Sequence, residues 1–367
     1  MKKKDLLIVS LLFFVWRIFL FIPPLLSLLI PLKNKYVFPL SIWGNFDGVH
    51  YLNIAGNGYT NNARFMPFYP FIIKLLSFLT GQTKAFGQGQ FIIGFLLNNI
   101  FFLLSLFILF KLIKLDFPKN ITLPAIISVL VFPTSFFFGA VYSEGLFLLL
   151  ILLSFYFARQ KNWLLAGIFA CLSSATRIVG IIMFFALLLE FYLQKEKINF
   201  KKFIFICIAP VGTITYAIYN KIKWGNFFYF LQAHGELGNS RSTNKIVLFP
   251  QTIYRYLKIL LTLPTKQFEW WIALLELTMF IFCLSILYIA WRKKVRLSYL
   301  LYSLGALFIP ALSGTFSGLP RYIIPIFPMF LGISLIKNKI FRIIYIAISV
   351  ILSTILLMFF SRGYFIA

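Results

Sequence analysis

Asp47 and His50 lie three residues apart in the segment WGNFDGVHYLNIAGNGYTNNARFMPFYP, Trp43 to Pro70. Only nine residues of 367 are acidic. A carboxylate in a polar, non-repetitive stretch of so acid-poor a chain is therefore a candidate for chemistry. The chemistry it suits is that of a general base taking a proton from an attacking hydroxyl. Asp47 followed by Gly-Val-His-Tyr-Leu also reads as the start of a short helix, and a helix start fixes a carboxylate well, so the two readings agree. His50, one turn on and on the same face, is placed to orient that carboxylate or to bind substrate. Arg64, further along the segment, is a candidate counter-charge.

Tyr142-Ser143-Glu144 is the second such place. Glu144 is followed by GLFLLLILLSF with no basic neighbour. Ser143 and Glu144 fit a helix start, yet an acid at membrane depth is costly unless it is paired or functional. Its partner must come from elsewhere in the chain, and Arg177 is the best candidate. Arg321-Tyr322 sits in GLPRY at the mouth of an apolar run. Arg321 there either snorkels or joins Arg177 in clamping a phosphate, for which a planar guanidinium is suited. Arg17, within the first apolar run, also needs a partner that sequence cannot name. Trp224, Gly225, Gln232, His234 and Arg241 suggest a substrate-facing lid with aromatic surface.

Other chemistries lack their signatures. There is no glycine-rich phosphate loop, no HExxH or paired-cysteine zinc pattern and no DxD pair to grip a nucleotide sugar through a metal. Cys171, Cys207 and Cys283 all lie inside apolar runs, so no disulfide framework or metal spacing is expected.

These residues need a scaffold, and composition says which kind. Hydrophobic residues make up 61% of the chain, charged residues 12%, and the mean hydropathy is +0.91. That is the composition of an all-α polytopic membrane protein. The net charge of +26 is spread in short runs between apolar segments, which fits anionic head groups and phosphates and not nucleic acid. MKKK and the uncleaved apolar run after it read as a retained first span with its N-terminus in the cytoplasm. Windows of about 20 apolar residues then give about 11 transmembrane helices in one domain, 1–367. The expected spans are 6–31, 88–110, 121–139 and 143–158, two short helices between Trp163 and Leu193 that turn near Arg177, then 203–220, 269–291, 297–313, 321–336 and 340–361. Two long extracytoplasmic loops, 32–87 and 221–268, separate them, with an interfacial helix in FYPFIIKLLSFLTG. This path, set by lysines and arginines alone, puts Asp47, Glu144, Glu236, Glu269, Glu276, Arg64, Arg177, His234, Arg241 and Arg321 toward the outer face. It puts Asp5, Asp116, Glu190 and Glu196 on the cytoplasmic side, where pairing with surface lysines accounts for them.

FDGVHYLNIAGNGY followed by FMPFYP resembles the first extracytoplasmic loop of PIG-V-like mannosyltransferases, in the GT-C superfamily of integral-membrane glycosyltransferases. PTSFFFGAVYSEGLF, the later TRIVG, WGNFFYFLQAH and GLPRYIIPIFPMFL are similar to further segments of that family, in order along most of the chain. Phe46 departs from the family's tryptophan before the Asp, although Trp43 is close. The resemblance implies a GT-C-like bundle with interfacial helices in its first loop. It implies a single sugar, mannose or another hexose, moved from a polyprenyl-phosphate donor to a glycan, lipid or protein acceptor, with inversion. Asp47 carries over as the catalytic residue. His50, Arg64, Tyr142, Glu144, Arg177, His234, Arg321 and Tyr322 are the expected substrate contacts. The chemistry admits a divalent cation without requiring one. The expected location is a prokaryotic cell membrane, with the site on its outer face.

Two rivals stand beside this reading. A transporter or lipid flippase would use Glu144, Arg17 and Arg177 as coupling charges, but such charges belong at the midplane and not in a long outer loop. An extracytoplasmic ligase would use lipid-linked sugars and transfer the glycan en bloc.

Overall fold

The computed structural model describes residues 2–33, 36, 38–60, 62–195, 200–233, 235, 242 and 247–366. Among these every regular element is helical, and helix lies beneath each of the expected spans. Four helical stretches are long and apolar enough to cross a membrane: Lys3–Leu29, Gln88–Asp116, Phe268–Arg292 and Lys339–Ser361. A fifth, Phe200–Cys207 with Val211–Trp224, bends by 47° at its break. The remaining apolar helices are shorter, among them Phe68–Leu79, Trp163–Thr176 and Leu297–Ala311. The chain is an integral membrane protein.

Sequence explains which helices face lipid. On Lys3–Phe19 and Lys339–Ser361, Leu7, Ile18, Ile343 and Ile351 lie more than half exposed, as side chains against acyl tails should. The Glu144–Arg159 helix is the opposite case, buried over nearly its whole length. It packs against Gln88–Asp116 on one side and Trp163–Thr176 on the other. Its acid stands at the N-terminus and its Arg159 at the C-terminus, which suits the helix dipole. These two charged ends lie about 22 Å apart.

A helix, Phe68–Leu79, does form in FYPFIIKLLSFLTG. It buries Tyr69, Ile73 and Ser77, four residues apart along one face, and leaves Phe71, Leu75 and Phe78 exposed. The turn expected near Arg177 is also present. Arg177 adopts extended backbone between Trp163–Thr176 and the short 3-10 turn Ile178–Ile182.

One sequence expectation is corrected here. Asp116 and Glu190 do not pair with surface lysines. Glu190 is fully buried and lies 2.6 Å from Arg296 Nε and 3.5 Å from Arg159 Nε. Ser298 and Gln194 each donate to it at 2.6 Å. Arg159 reaches both oxygens of Asp116 at 2.5 Å. Proximity in sequence to lysines misled because helix packing brings arginines from distant helices to these acids. Asp5 does pair with a lysine, Lys119, at 2.5 Å.

Candidate active site

The site is assembled from four places in the chain. Its first part is the Asp47–Asn57 helix, which begins at Asp47 itself. Phe46 holds the cap position with φ of +55°, a left-handed conformation unusual for such a residue, and its ring packs on Phe360 and Phe365. Trp43 is fully buried, and its carbonyl accepts the Val141 N–H at 2.9 Å. The first loop is thereby tied to the segment carrying Tyr142, Ser143 and Glu144. Tyr142 adds a second tie by donating to the Asn45 carbonyl at 2.8 Å. Ser143 Oγ adds a third, 2.9 Å from the Tyr51 hydroxyl.

The 137–145 segment is itself held by Asn98, a polar residue inside an apolar helix. Its amide donates to the carbonyls of Phe137 and Ala140 at 3.0 and 2.8 Å and accepts the Gly145 N–H at 2.8 Å. Gly145 is needed for this approach, since a Cβ there would stand 2.4 Å from Asn98 Oδ1.

Five of the expected residues, Arg64, Tyr142, Arg177, Arg321 and Tyr322, meet around the carboxylates of Asp47 and Glu144. Arg321 Nη1 lies 2.7 Å from Asp47 Oδ2, and Arg321 Nε lies 3.4 Å from Glu144 Oε1. Arg64 Nη2 is 3.8 Å from the other Asp47 oxygen. Arg177 pairs with Glu144, the partner expected from sequence. The Tyr322 ring lies between the two arginines, 5.0 Å from the Arg177 guanidinium and 5.1 Å from that of Arg321. Tyr142 presents its ring to Arg321 at 5.3 Å. Such guanidinium–aromatic contacts contribute more where water is excluded.

The Arg177–Glu144 pair is a directed hydrogen bond, but the contacts of Arg321 with the two carboxylates are close and poorly directed. Neither Nε nor Nη1 of Arg321 is aligned for a hydrogen bond, and Glu144 Oε2 is buried with no hydrogen-bond partner. Buried polar atoms are ordinarily satisfied, so these atoms have hydrogen-bonding capacity to spare, as do Arg17 Nη1 and Nη2, Trp43 Nε1 and Gln194 Oε1 elsewhere.

Asp47 lies in the first loop, outside the membrane-spanning helices, and its side chain is 17% exposed. Burial works against its charged form, but the guanidinium of Arg321, then that of Arg64, outweighs it and holds the carboxyl below its ordinary value. His50 is pushed down by burial and by Arg64, so it is neutral near pH 7. His50 Nδ1 is 3.0 Å from Asn62 Oδ1 and the ring stacks on Phe65. Its hydrogen bond thus runs to Asn62, and it touches the site through Phe65, over which the Arg64 guanidinium lies at 4.6 Å.

His234 and Arg241, with Glu196 and Glu236, lie outside the described residues. Trp224 and Gly225 are described. Gly225 ends its helix at φ +77°. Trp224 stacks on Tyr229 and meets Tyr59 and Tyr219, which makes it part of an aromatic joint between the two long loops. Tyr216, in the same joint, donates to the Ala63 carbonyl next to Arg64. Among the described residues Arg17 finds no acid. Its guanidinium sits over the rings of Phe21, Trp43 and Phe95 at 4.7, 4.4 and 4.7 Å.

Sequence reasoning missed Tyr51 and Asn98, whose signal was polarity in places that packing should have left apolar. Among the described residues no three His, Cys, Asp or Glu side chains gather as a metal-binding group.

Residues 19–211, more than half of the chain, match a family model described as mannosyltransferase (PIG-V). That region holds Asp47, His50, Arg64, Tyr142, Glu144 and Arg177, while Arg321 and Tyr322 lie beyond it. Among curated proteins there is no match to this chain. Among solved structures it is similar to ArnT from Cupriavidus metallidurans, determined bound to undecaprenyl phosphate, with 14% identity, a TM-score of 0.53, and coverage of 90% of this chain and 60% of that one. It is also similar to the oligosaccharyltransferase of Archaeoglobus fulgidus in its apo form, with 13% identity, a TM-score of 0.53, and coverage of 100% and 57%. The chain therefore spans about 60% of the length of the solved structures it matches. At such identities the likeness is one of fold, that of the GT-C glycosyltransferases.

Proposed function

The chain belongs to the PIG-V mannosyltransferase family and is a membrane glycosyltransferase, and from that premise we propose the reaction it performs. It moves one sugar, mannose or another hexose, from a polyprenyl-phosphate donor to an acceptor hydroxyl at the outer face of a prokaryotic cell membrane, with inversion. The observation that carries this reading is the meeting of Asp47 from the first loop with Arg321 from far along the chain, beside the Arg177–Glu144 pair.

In this reading Asp47 accepts the proton of the acceptor hydroxyl as its oxygen attacks the anomeric carbon. The bond from that carbon to the phosphate oxygen breaks, and the polyprenyl phosphate leaves with the electron pair. Arg321, Arg177 and Arg64 stabilise the charge growing on that phosphate in a site of low dielectric. The undirected N–H groups of Arg321 suit this role, because they can turn from carboxylate to phosphate without breaking an aligned hydrogen bond. Tyr142, Tyr322 and His50 line the approach, with His234 proposed from the second loop. Glu144 fixes Arg177 and shares Arg321. The undecaprenyl phosphate of the ArnT structure supports a lipid phosphate as the leaving group. The acceptor is a glycan, lipid or protein hydroxyl.

The test is to incubate membranes containing the chain with several polyprenyl-phosphate sugars and to read the products by mass spectrometry. Transfer of a single hexose, abolished by Asp47→Asn with donor binding retained, is the expected result. Absence of transfer from every donor, with uptake or flipping lost on changing Glu144 or Arg17, would favour the transporter reading instead.

A further inference from the structure

Arg321 projects from Leu319–Tyr322, a helix of only four residues. So short a helix cannot hold its own position, and whatever fixes the chain before it sets where the guanidinium reaches. We propose that Glu276 and Tyr256, from two helices outside the expected site, are positioning residues that hold Arg321 at Asp47. This rests on the reading of Asp47 and Arg321 given above.

The contacts are specific and convergent. Glu276, on Phe268–Arg292, accepts the Gly318 N–H at 3.1 Å through one oxygen and the Tyr256 hydroxyl at 2.5 Å through the other. Tyr256, on Phe249–Thr262, also accepts the Phe316 N–H at 3.0 Å and lies 3.1 Å from Thr315 Oγ1. Arg255 donates to the Gly314 carbonyl at 3.2 Å, and Thr134 donates to the Pro320 carbonyl. The backbone is thus gripped at Gly314, Phe316, Gly318 and Pro320, four of the seven residues leading to Arg321. Gly318 takes φ of +78°, a conformation that frees its N–H to point at Glu276 and that other residues adopt at a cost.

Both gripping side chains are deeply buried, Tyr256 at 3% and Glu276 at 4% exposure. A buried carboxylate is an expensive way to cap a turn, and an apolar side chain would pack that helix as well. What Glu276 provides is two acceptors in one fixed place, one for the backbone of the arginine-bearing turn and one for the tyrosine that grips the same turn. Phe249–Thr262 lies within the second long loop, 221–268, so that loop and Arg321 share a mechanical connection.

The readout is the ionisation of Asp47. The groups facing Asp47 are Arg321, Arg64, His50 and Arg177, with Glu144 sharing Arg321 and the Tyr142 ring beside that guanidinium. Of these only Arg321 depends on the grip. In full-length protein in lipid nanodiscs, the melting temperature against pH is measured for the wild type and Asp47→Asn, and the difference reports Asp47 without any substrate. The pair is then repeated with Tyr256→Phe and with Glu276→Met. If the grip sets Arg321, the fall in the Asp47-dependent difference moves to higher pH in both backgrounds. Glu276→Gln, which keeps an acceptor for Gly318, restores the wild-type position. In the transfer assay the first two variants lower kcat by about 10- to 100-fold with KM for the donor little changed, and Glu276→Gln recovers most of the rate. Ser298→Ala in the Glu190 network is the control, lowering melting without moving the Asp47 fall. An unmoved fall in Tyr256→Phe and Glu276→Met overturns the positioning role even if transfer is intact. Absence of transfer in the wild type overturns the functional reading while the melting series still decides the positioning.

Discussion

The Glu144–Arg159 helix carries a charged cluster at each end, and the two are built differently. Around Asp116 and Glu190 the bonds are short and directed. Arg159 meets both oxygens of Asp116, Tyr299 adds a donor at 3.3 Å, and Arg296, Ser298 and Gln194 close on Glu190 at 2.6 Å each. Around Asp47 and Glu144 the charges are as close, and Arg177 donates to Glu144, but the contacts of Arg321 with the two carboxylates are not directed. Arg321 has two nitrogens without an aligned acceptor, and Glu144 Oε2 has no donor. A buried network whose acids are closed by directed donors holds helices together. An unsaturated one persists only where the fold over-determines it, and that is what a ligand site requires. Unmet hydrogen-bonding capacity is not confined to this end, since Arg17 Nη1 and Nη2 and Gln194 Oε1 are also buried without a partner; what distinguishes it is that unmet groups of opposite charge, on Arg321 and Glu144, stand together.

Substitutions separate the two ends, beginning with the largest effect. Asp47→Asn is expected to lower kcat by about a thousandfold with donor KM little changed, measured by product formation per folded molecule, and to lower the melting temperature at neutral pH, where the ionised Asp47 stabilises the fold. Glu190→Ala leaves the partly exposed Arg296 without its acid and the buried Ser298 hydroxyl without its acceptor, and is expected to destabilise by about 2 kcal/mol, read as a lower melting temperature with near-normal turnover in the surviving fold. A kcat loss in Glu190→Ala matching that of Asp47→Asn would erase the distinction. Arg177→Lys keeps the charge but loses the planar contact with Tyr322, and a drop of about tenfold in kcat/KM, equal to about 1.4 kcal/mol, is expected in the same assay.

The smallest effect is one of pH. The carboxyl of Asp47 is held below its ordinary value, against burial, first by Arg321 and then by Arg64. A depressed carboxyl stabilises the fold fully above its unfolded value, and that contribution is lost as pH falls through the lower folded value. Turnover should likewise persist below the pH at which a free aspartate protonates. Arg64→Gln removes the weaker of the two cations, and a modest upward shift of the acid limb of kcat against pH is expected. A downward shift would mean that Arg64 does not face the ionised carboxylate.

Much of this was legible in the sequence, for identifiable reasons. Scarcity singled out Asp47 and Glu144, because in an apolar chain each acid must be explained. Isolation in GLFLLLILLSF led to Arg177 as the partner of Glu144. Apolar windows located the helices, since a bilayer demands them. What stayed hidden depends on packing between distant segments. Nothing near Glu190 in sequence announces Arg296, and nothing in FEWWIALLELTMF tells that Glu276 caps the turn before Arg321. The partner of Arg17 could not be named because it is three aromatic faces and no acid. Phe46, standing where the resembled family has tryptophan, is accommodated by a left-handed backbone and a contact with Phe360 near the other end of the chain.

The most direct measurement is the binding of undecaprenyl phosphate to the full-length protein in nanodiscs, by native mass spectrometry, for the wild type, Arg321→Gln and Arg296→Gln at equal folded protein. The expected result is binding weakened about tenfold or more by Arg321→Gln, the loss of one charge-assisted contact, and unchanged by Arg296→Gln. Equal affinity in the wild type and Arg321→Gln, or an equal loss in both variants, would contradict the assignment of the unsaturated cluster as the phosphate site.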